Sequence, residues 1–535
     1  MNDLSPTGSR VRLSAALVAV VLLWAVLYLP CLGTIEMKGE EARRTLPAVA
    51  MIESGDWMIP YVGGEAYARK PPLLNWTIAL AIKASGQVNE WTARLPSALS
   101  VLPLALGMLL FTRRLLGTDT ALLAAVMYLV NATMLEKGRL AELESFTITT
   151  YGLAFLAWFH GELYGAKFKC WIITGICLSL GQMTKGPMPT LLFFYLPVVL
   201  HLWRARRMRE LISPGHLACV ALTWVPFLIW SQLMFQRMGA ENVSNVWSQE
   251  LAMRVVPENF SIGGYLEVIA RGGLNFMPWV IFAPLLWRPA VVARLPEGQR
   301  ALFVTVRRTI VIGFVVVGCL PGARPRYTIQ LLVPLLVLIA WALAFVEQPK
   351  WWIAWRRLLQ VLTGCAAVAA PTVALWLHAG AGLWLLAGFI VVAAVVSWKP
   401  LAQSESPQTL GLATGVAVSL LLGVGYLALG SLGERLPSPE RQAAREIQSW
   451  LPAGKPLMAV RPGYERILVH LGFQVRYARR LPDLPAERPL VLFVNEPDDR
   501  AAMPAQANAE QLPLTARPRN RVYEIWRLNP AAHAR

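Results

Sequence analysis

The chain has 535 residues, of which 56% are hydrophobic and only 15% charged, with a mean hydropathy of +0.47. An ordinary soluble protein has about 25% charged residues, so this chain cannot cover a globule of its size with polar surface. A disordered chain and a soluble nucleic-acid binder are both excluded, although 50 Lys and Arg stand against 32 Asp and Glu for a net charge of +18. What remains is an all-α polytopic membrane protein, in which the excess positive charge reports orientation.

About 20 consecutive apolar residues span a bilayer as a helix. On that measure thirteen spans are predicted, near 12–32, 93–112, 119–136, 145–163, 169–184, 187–203, 215–234, 272–288, 309–320, 328–346, 358–377, 380–397 and 408–430. Arg10 and Arg12 precede the first, as in a signal peptide. No small-residue cleavage site is clear and further spans follow, so an uncleaved anchor is expected. With the N-terminus inside, the cytoplasmic connections carry Arg113 and Arg114, Lys167 and Lys169, Arg204 to Arg209, Arg288 to Arg308, Lys350 to Arg357, and Lys399. Every one of them is basic. Residues 71–86 are apolar but short and hold Lys83, which fits an interfacial or re-entrant helix on the outer side. The six cysteines lie in or beside apolar runs without a CxxC pair, so they read as apolar filler.

Composition changes after residue 430. Residues 431–535 are rich in Arg, Pro, Glu and Asp around short apolar runs (PLMAV, PLVLFV, VYEIWRL), the pattern of a small C-terminal α/β extramembrane domain. The predicted division is 1–430, a transmembrane domain with a long first outer loop at 33–92, and 431–535, a periplasmic domain. No internal repeat stands out.

The outer connections hold acids and bases that a simple anchor does not need. They are Glu40-Glu41-Ala42-Arg43, Ser54-Gly55-Asp56-Trp57 and Tyr67 to Pro72; Lys137, Arg139, Glu142 and Glu144; Thr184-Lys185-Gly186-Pro187; Trp247, Glu250, Arg254 and Arg271; and Gly322 to Tyr327 with Arg324 and Arg326. Charged groups at the hydrocarbon boundary are costly unless paired or hydrated. Their recurrence on one side suggests a shared cavity suited to an anionic leaving group and a nucleophile. Each also has a plainer reading. Glu40 and Glu41 suit a helix N-terminus, Lys185 a snorkelling helix-end lysine, and Arg324 with Arg326 a lipid headgroup contact.

Taken in order, the run GEEARR…ESGDWMIPYVGGEAYARKPPLLNW…ARLPSALS, then Arg139 to Glu144, Thr184 to Pro187 and Arg326-Tyr327, is far more specific. It resembles the polyprenyl-phosphate-sugar-dependent glycosyltransferases of the protein O-mannosyltransferase superfamily, especially the bacterial 4-amino-4-deoxy-L-arabinose lipid A transferase branch. The resemblance covers roughly residues 10–345 and implies a GT-C type fold of about 13 transmembrane helices. It also implies transfer of a sugar from a polyprenyl (undecaprenyl) phosphate to an envelope lipid, glycan or protein at the periplasmic face of a bacterial inner membrane. Arg43, Lys70, Lys185 and Arg326 would neutralise the departing phosphate. Glu40 would orient or deprotonate the acceptor, with Glu41 and Glu36 the other acids able to take that place. Glu144 would be the second acid, and Tyr67 and Tyr327 would shape the donor site. The chemistry requires no metal, although a divalent ion is compatible with it, and no nucleic acid is expected. The chain has Glu40 and Glu144 where the family has Asp, and Arg69 where the branch favours an acid. The alternative classes are a lipid-linked sugar transporter or flippase, and a non-catalytic accessory protein.

Overall fold

The computed structural model describes residues 11–67, 69–255, 261–320, 323–346, 352–402, 407–505, 508–516 and 523–530. Arg10, Gly322 and Lys350, and the side chains of Glu250 and Arg254, lie outside the described residues. The chain is a mainly helical multi-pass membrane protein, because apolar backbone in lipid must satisfy its own hydrogen bonds. Among the described residues, seven helices are long and apolar enough to cross a membrane, or eight if one bent pair is a single span.

The predicted segments reappear with altered ends. The first is α1 (Leu13–Tyr28). Spans near 93–112 and 119–136 lie in one run, α4 (Glu90–Leu129), broken where Gly117 leaves helical geometry at φ +75°. Its start is fixed by a capping box, Asn89 accepting from the Thr92 amide at 2.9 Å while the Thr92 hydroxyl accepts from the Asn89 amide at 3.1 Å. After the short α5 (Ala132–Lys137), α6 (Leu143–Tyr164) and α7 (Lys167–Lys185) form an antiparallel pair. A π-helical turn, Thr190–Tyr195, leads into α8 (Leu196–Arg204). Then come α9 (Pro214–Met238) and α10 (Ala240–Val255). The 272–288 prediction is not a straight span: α11 (Ile262–Leu274) meets a 3-10 helix, Trp279–Trp287, at 99°.

Past the short α12 (Pro289–Arg294), the brief 309–320 run is the end of a longer helix, α13 (Glu297–Cys319). Its first half holds Arg300, Arg307 and Arg308, which interrupt the apolar run without interrupting the helix. A 3-10 turn, Pro325–Leu331, opens α14 (Leu332–Leu343), whose twelve residues are all buried at the centre of the bundle. The last helices of the bundle are α15 (Trp352–Trp376), α16 (Ala381–Ala402) and α17 (Pro407–Leu432).

Two further helices lie in the first long connection. They are α2 (Glu41–Ser54) and α3 (Leu73–Ser85), joined through a hairpin of β1 (Tyr61–Val62) and β2 (Glu65–Ala66). At 13 residues α3 is too short to cross a bilayer. Its Leu74, Ile78 and Ile82 are buried against Leu46 and Val49 of α2.

Beyond α18 (Pro439–Trp450), the chain forms a five-stranded sheet of order β4-β3-β5-β7-β6. The strands are β3 (Leu457–Val460), β4 (Val475–Ala478), β5 (Leu490–Val494), β6 (Ala509–Leu512) and β7 (Glu524–Leu528), with α19 (Ile467–Leu471) and α20 (Pro497–Ala502) between them. The inner strands β3 and β5 pair in parallel and are buried throughout, which is why they read as unbroken apolar runs. Alternate residues serve two cores. Met458 and Val460 face Leu492 and Trp526, whereas Leu457 and Ala459 join α18, α2 and α3. The sheet therefore shares a hydrophobic core with the first long connection. Glu36 fastens the same junction, accepting from the amides of Glu440 and Arg441 at 2.9 and 3.2 Å at the start of α18.

Candidate functional site

Glu40 is the residue before the first turn of α2, and Arg44 lies one turn on, so the two meet as an i,i+4 pair at 3.0 Å. The 3-10 turn ahead of α14 delivers Arg326, whose Nη2 lies 3.2 Å from the other Glu40 oxygen. Glu144 sits in the first turn of α6 and faces Arg326 Nε and Lys185 Nζ, each at 3.5 Å. Lys185 ends α7 and lies 5.4 Å from the Tyr327 ring centroid. These contacts make one alternating series, Arg44, Glu40, Arg326, Glu144 and Lys185, built from four sequence-distant elements.

The series lines a cavity of about 600 Å³. Arg43, Tyr67, Arg69, Lys70 and Arg324 add further polar lining, and Met188, Leu192, Phe193, Val317 and Leu320 add apolar lining. Seven cationic side chains thus border it against two carboxylates. Burial pushes the Glu40 carboxyl up, but the guanidiniums of Arg44, Arg326 and Arg43 outweigh that and hold it at about 2. Just before α6, burial and then the Glu144 charge push the Glu142 carboxyl up, while Lys137 at 2.9 Å draws it back.

Of the nine residues singled out from sequence, eight line this cavity: Glu40, Arg43, Tyr67, Lys70, Glu144, Lys185, Arg326 and Tyr327. Glu41 does not, and its assignment as a catalytic acid is corrected. Its side chain is fully buried against Arg94 at 2.8 Å. It also accepts from the amides of Lys38 at 2.8 Å and Ala141 at 2.9 Å. With its oxygens filled by protein donors, it joins α2, α4 and the α6 entry and presents nothing to a reactant. Glu36 is likewise spent on α18. Arg139 donates to the Leu27 carbonyl at 2.9 Å and to that of Pro30, closing the C-terminal end of α1 rather than facing the cavity.

Sequence reasoning missed Arg44, although its i,i+4 spacing from Glu40 was the available signal. It also missed the apolar wall, since Leu192, Phe193, Val317 and Leu320 read as ordinary span residues. The donor set gives a divalent ion little purchase. Glu40 and Glu144 each already face two cationic groups within 3.5 Å. No group of three or more His, Cys, Asp or Glu side chains placed to hold a metal occurs among the described residues.

Fold and site together define a multi-pass membrane protein with a charged, half-apolar cavity at one end of its helical bundle. Residues 69–230 match the dolichyl-phosphate-mannose-protein mannosyltransferase family. That stretch holds Lys70, Glu144 and Lys185, whereas Glu40, Arg43, Arg326 and Tyr327 lie beyond it. The chain is 26% identical over 322 residues to an undecaprenyl phosphate-α-4-amino-4-deoxy-L-arabinose arabinosyl transferase of Pseudomonas aeruginosa, covering 57% of this chain and 55% of the relative. It is 25% identical over 338 residues to the enzyme of that name in Edwardsiella ictaluri, covering 61% and 58%. The chain thus matches a little over half the length of these curated relatives. Its fold is that of ArnT from Cupriavidus metallidurans, whose crystal structure bound to undecaprenyl phosphate superposes with a TM-score of 0.70. That match has 18% identity and covers 96% of this chain and 98% of the other. The resemblance to the O-mannosyltransferase superfamily, and to its arabinosyl transferase branch, is borne out.

Proposed function

We propose that this chain is an integral-membrane glycosyltransferase that moves a sugar from a polyprenyl phosphate donor, of the undecaprenyl type, to lipid A or another envelope lipid, glycan or protein. The observation that carries the reading is one cavity lined by both a set of cations and a set of apolar side chains. A lipid phosphate combines the same two characters. Arg43, Lys70, Lys185 and Arg326 take the departing phosphate, which leaves without needing a proton because cations stabilise its charge. Glu40 orients the acceptor hydroxyl and receives its proton. Held at about 2, the carboxyl is ionised but a weak base. When the phosphate draws Arg326 away, Glu40 loses one of its neutralising partners and becomes more basic. Glu144 keeps Lys185 and Arg326 in place, and Tyr67 and Tyr327 shape the donor pocket. No step needs a metal ion.

In this reading the chain crosses a bacterial inner membrane thirteen times, with its N-terminus cytoplasmic. Residues 1–430 form the membrane domain and residues 431–535 a periplasmic α/β domain beside the cavity. The basic connections support that orientation. Mass spectrometry of envelope lipids, glycans and proteins from cells with and without the chain tests the function. A sugar-sized mass increment that depends on the chain is expected. Its absence, while an added polyprenyl-phosphate sugar stays unconsumed by the purified protein, removes the reading. A reporter fused after residue 430 should read as periplasmic, and one near Arg207 as cytoplasmic.

A further inference from the structure

We propose that the turn joining β3 to α19, residues 461–466, is a working part of the site, and that Tyr464 is the positioning residue for Arg43. The inference rests on the donor reading above. Arg43 lines the cavity, and its guanidinium carbon lies 4.0 Å from the centroid of the Tyr464 ring. Its Nε is buried and makes no hydrogen bond among the described residues, so the ring face sets the plane of the cation. Two other residues of this turn hold segments that lead to the cavity. Arg466 donates to the carbonyls of Met37 and Gly39, both at 3.0 Å, directly ahead of Glu40. Gly463 lies against the β1–β2 hairpin so closely that a Cβ on Gly63 would come within 2.8 Å of its carbonyl oxygen. That hairpin leads into Tyr67 and Lys70. The turn itself is braced by Glu465, which accepts from the Tyr523 hydroxyl at 2.8 Å.

One turn therefore registers the residues before Glu40, the cation after it, and the hairpin that carries Tyr67. Cations act on a leaving phosphate when they are held ready beforehand, and a misplacement of about 1 Å can cost about a hundredfold in rate. A planar guanidinium stacked on a ring is held in orientation yet keeps its outer N–H groups for phosphate. The C-terminal sheet thus sets the geometry of the leaving-group site.

The test uses the full chain in detergent or nanodiscs, with a polyprenyl phosphate lacking a sugar as the binding probe. Tyr464→Ala should weaken binding about fivefold, the usual size of a partly exposed cation–π contact. Tyr464→Leu, which keeps bulk but loses the π face and guards against a folding failure of the Ala variant, should weaken it equally. Tyr464→Phe should bind as the wild type does. In an Arg43→Ala background, Tyr464→Ala should add nothing. Unchanged binding by both Tyr464→Ala and Tyr464→Leu overturns the inference, as does an equal loss in Tyr464→Phe or an additive loss in the double variant. Wild-type protein that does not bind the probe removes the donor reading and this inference together. Binding by wild type with no effect of Tyr464 removes the inference alone.

Discussion

Helix α6 carries a buried carboxylate at each end, and the two have opposite fates. Glu144 in the first turn and Glu162 near the last are 5% and 3% exposed. Both meet basic groups from other elements. Glu162 holds Arg207 at 3.0 Å, His201 at 3.2 Å and Lys167 at 3.9 Å. There, however, Lys167 and Arg207 also close on a second acid, Glu210, at 2.8 and 2.5 Å. A shallow cavity of about 520 Å³ lies nearby, lined by Trp203, Arg206, Arg207, Met208, Arg209 and Glu210, and Glu162 is not among its walls. At the other end, Glu144 and Glu40 face a cavity whose walls add Arg43, Lys70 and Arg324. What sets the two ends apart is the open volume: Glu144 and Glu40 line a cavity together with seven cationic side chains, whereas Glu162 lines none.

The comparison is tested hardest at Glu40. On the proposed function, Glu40→Gln should lower sugar turnover about a thousandfold, the range of a lost general base, while the protein stays folded. Glu162→Gln should leave turnover per folded molecule unchanged. Equal losses in the two variants, read by donor-to-acceptor transfer of radiolabelled sugar, would break the distinction between the ends of α6.

Next in size is Arg326, the cation shared by both site carboxylates. Arg326→Ala should cut kcat/KM about a hundredfold, as removal of one preorganised electrostatic partner does, and Arg326→Lys should recover part of it. The bidentate fork would still be missing. No change in donor dependence would detach Arg326 from the leaving group and leave it as a brace for Glu144.

The stapling acids should act on stability instead. Breaking a buried pair by removing one partner costs about 3–5 kcal/mol, so Glu41→Gln and Glu162→Gln should both lower the melting temperature measured in detergent. Turnover of the surviving folded fraction should hold. A selective loss of turnover in Glu41→Gln, without destabilisation, would return Glu41 to the site.

Sequence order made most of the cavity lining legible because its charged side chains come from short, recognisable turns at helix ends. The Thr184–Pro187 turn and the Tyr67–Pro72 run could be placed by residue number alone. The division between Glu40 and Glu41 could not. Adjacent residues at a helix start point about 100° apart, and the partner that fixes the buried one, Arg94, lies 53 residues on. The same distance problem hid Tyr464, which reaches Arg43 from beyond the whole bundle. Helix boundaries failed for a different reason. Apolarity marks contact with lipid or core, so α13 was cut short at its arginines, and the 99° bend between α11 and the following 3-10 helix left no trace in hydropathy.

The smallest effect expected of the proposed function is one of pH, and it separates free from donor-bound protein. In the free protein the Glu40 carboxyl sits at about 2 against an ordinary value of 4.5. A folded value below the unfolded one contributes stability that is fully present above the unfolded value and is lost as pH falls through the folded value. Between about pH 5 and about pH 8 Glu40 therefore stays ionised, and neither stability nor kcat/KM should show an acid limb from it. The bound enzyme should behave differently. A donor phosphate that takes Arg326 strips Glu40 of a neutralising charge, and the departing phosphate adds a negative one nearby. Both raise its proton affinity. An acid limb that appears in kcat but not in kcat/KM would mark that exchange of partners. A limb of equal position in both would place the titrating base elsewhere, with Glu142, already pushed up by burial and by Glu144, the next residue to substitute.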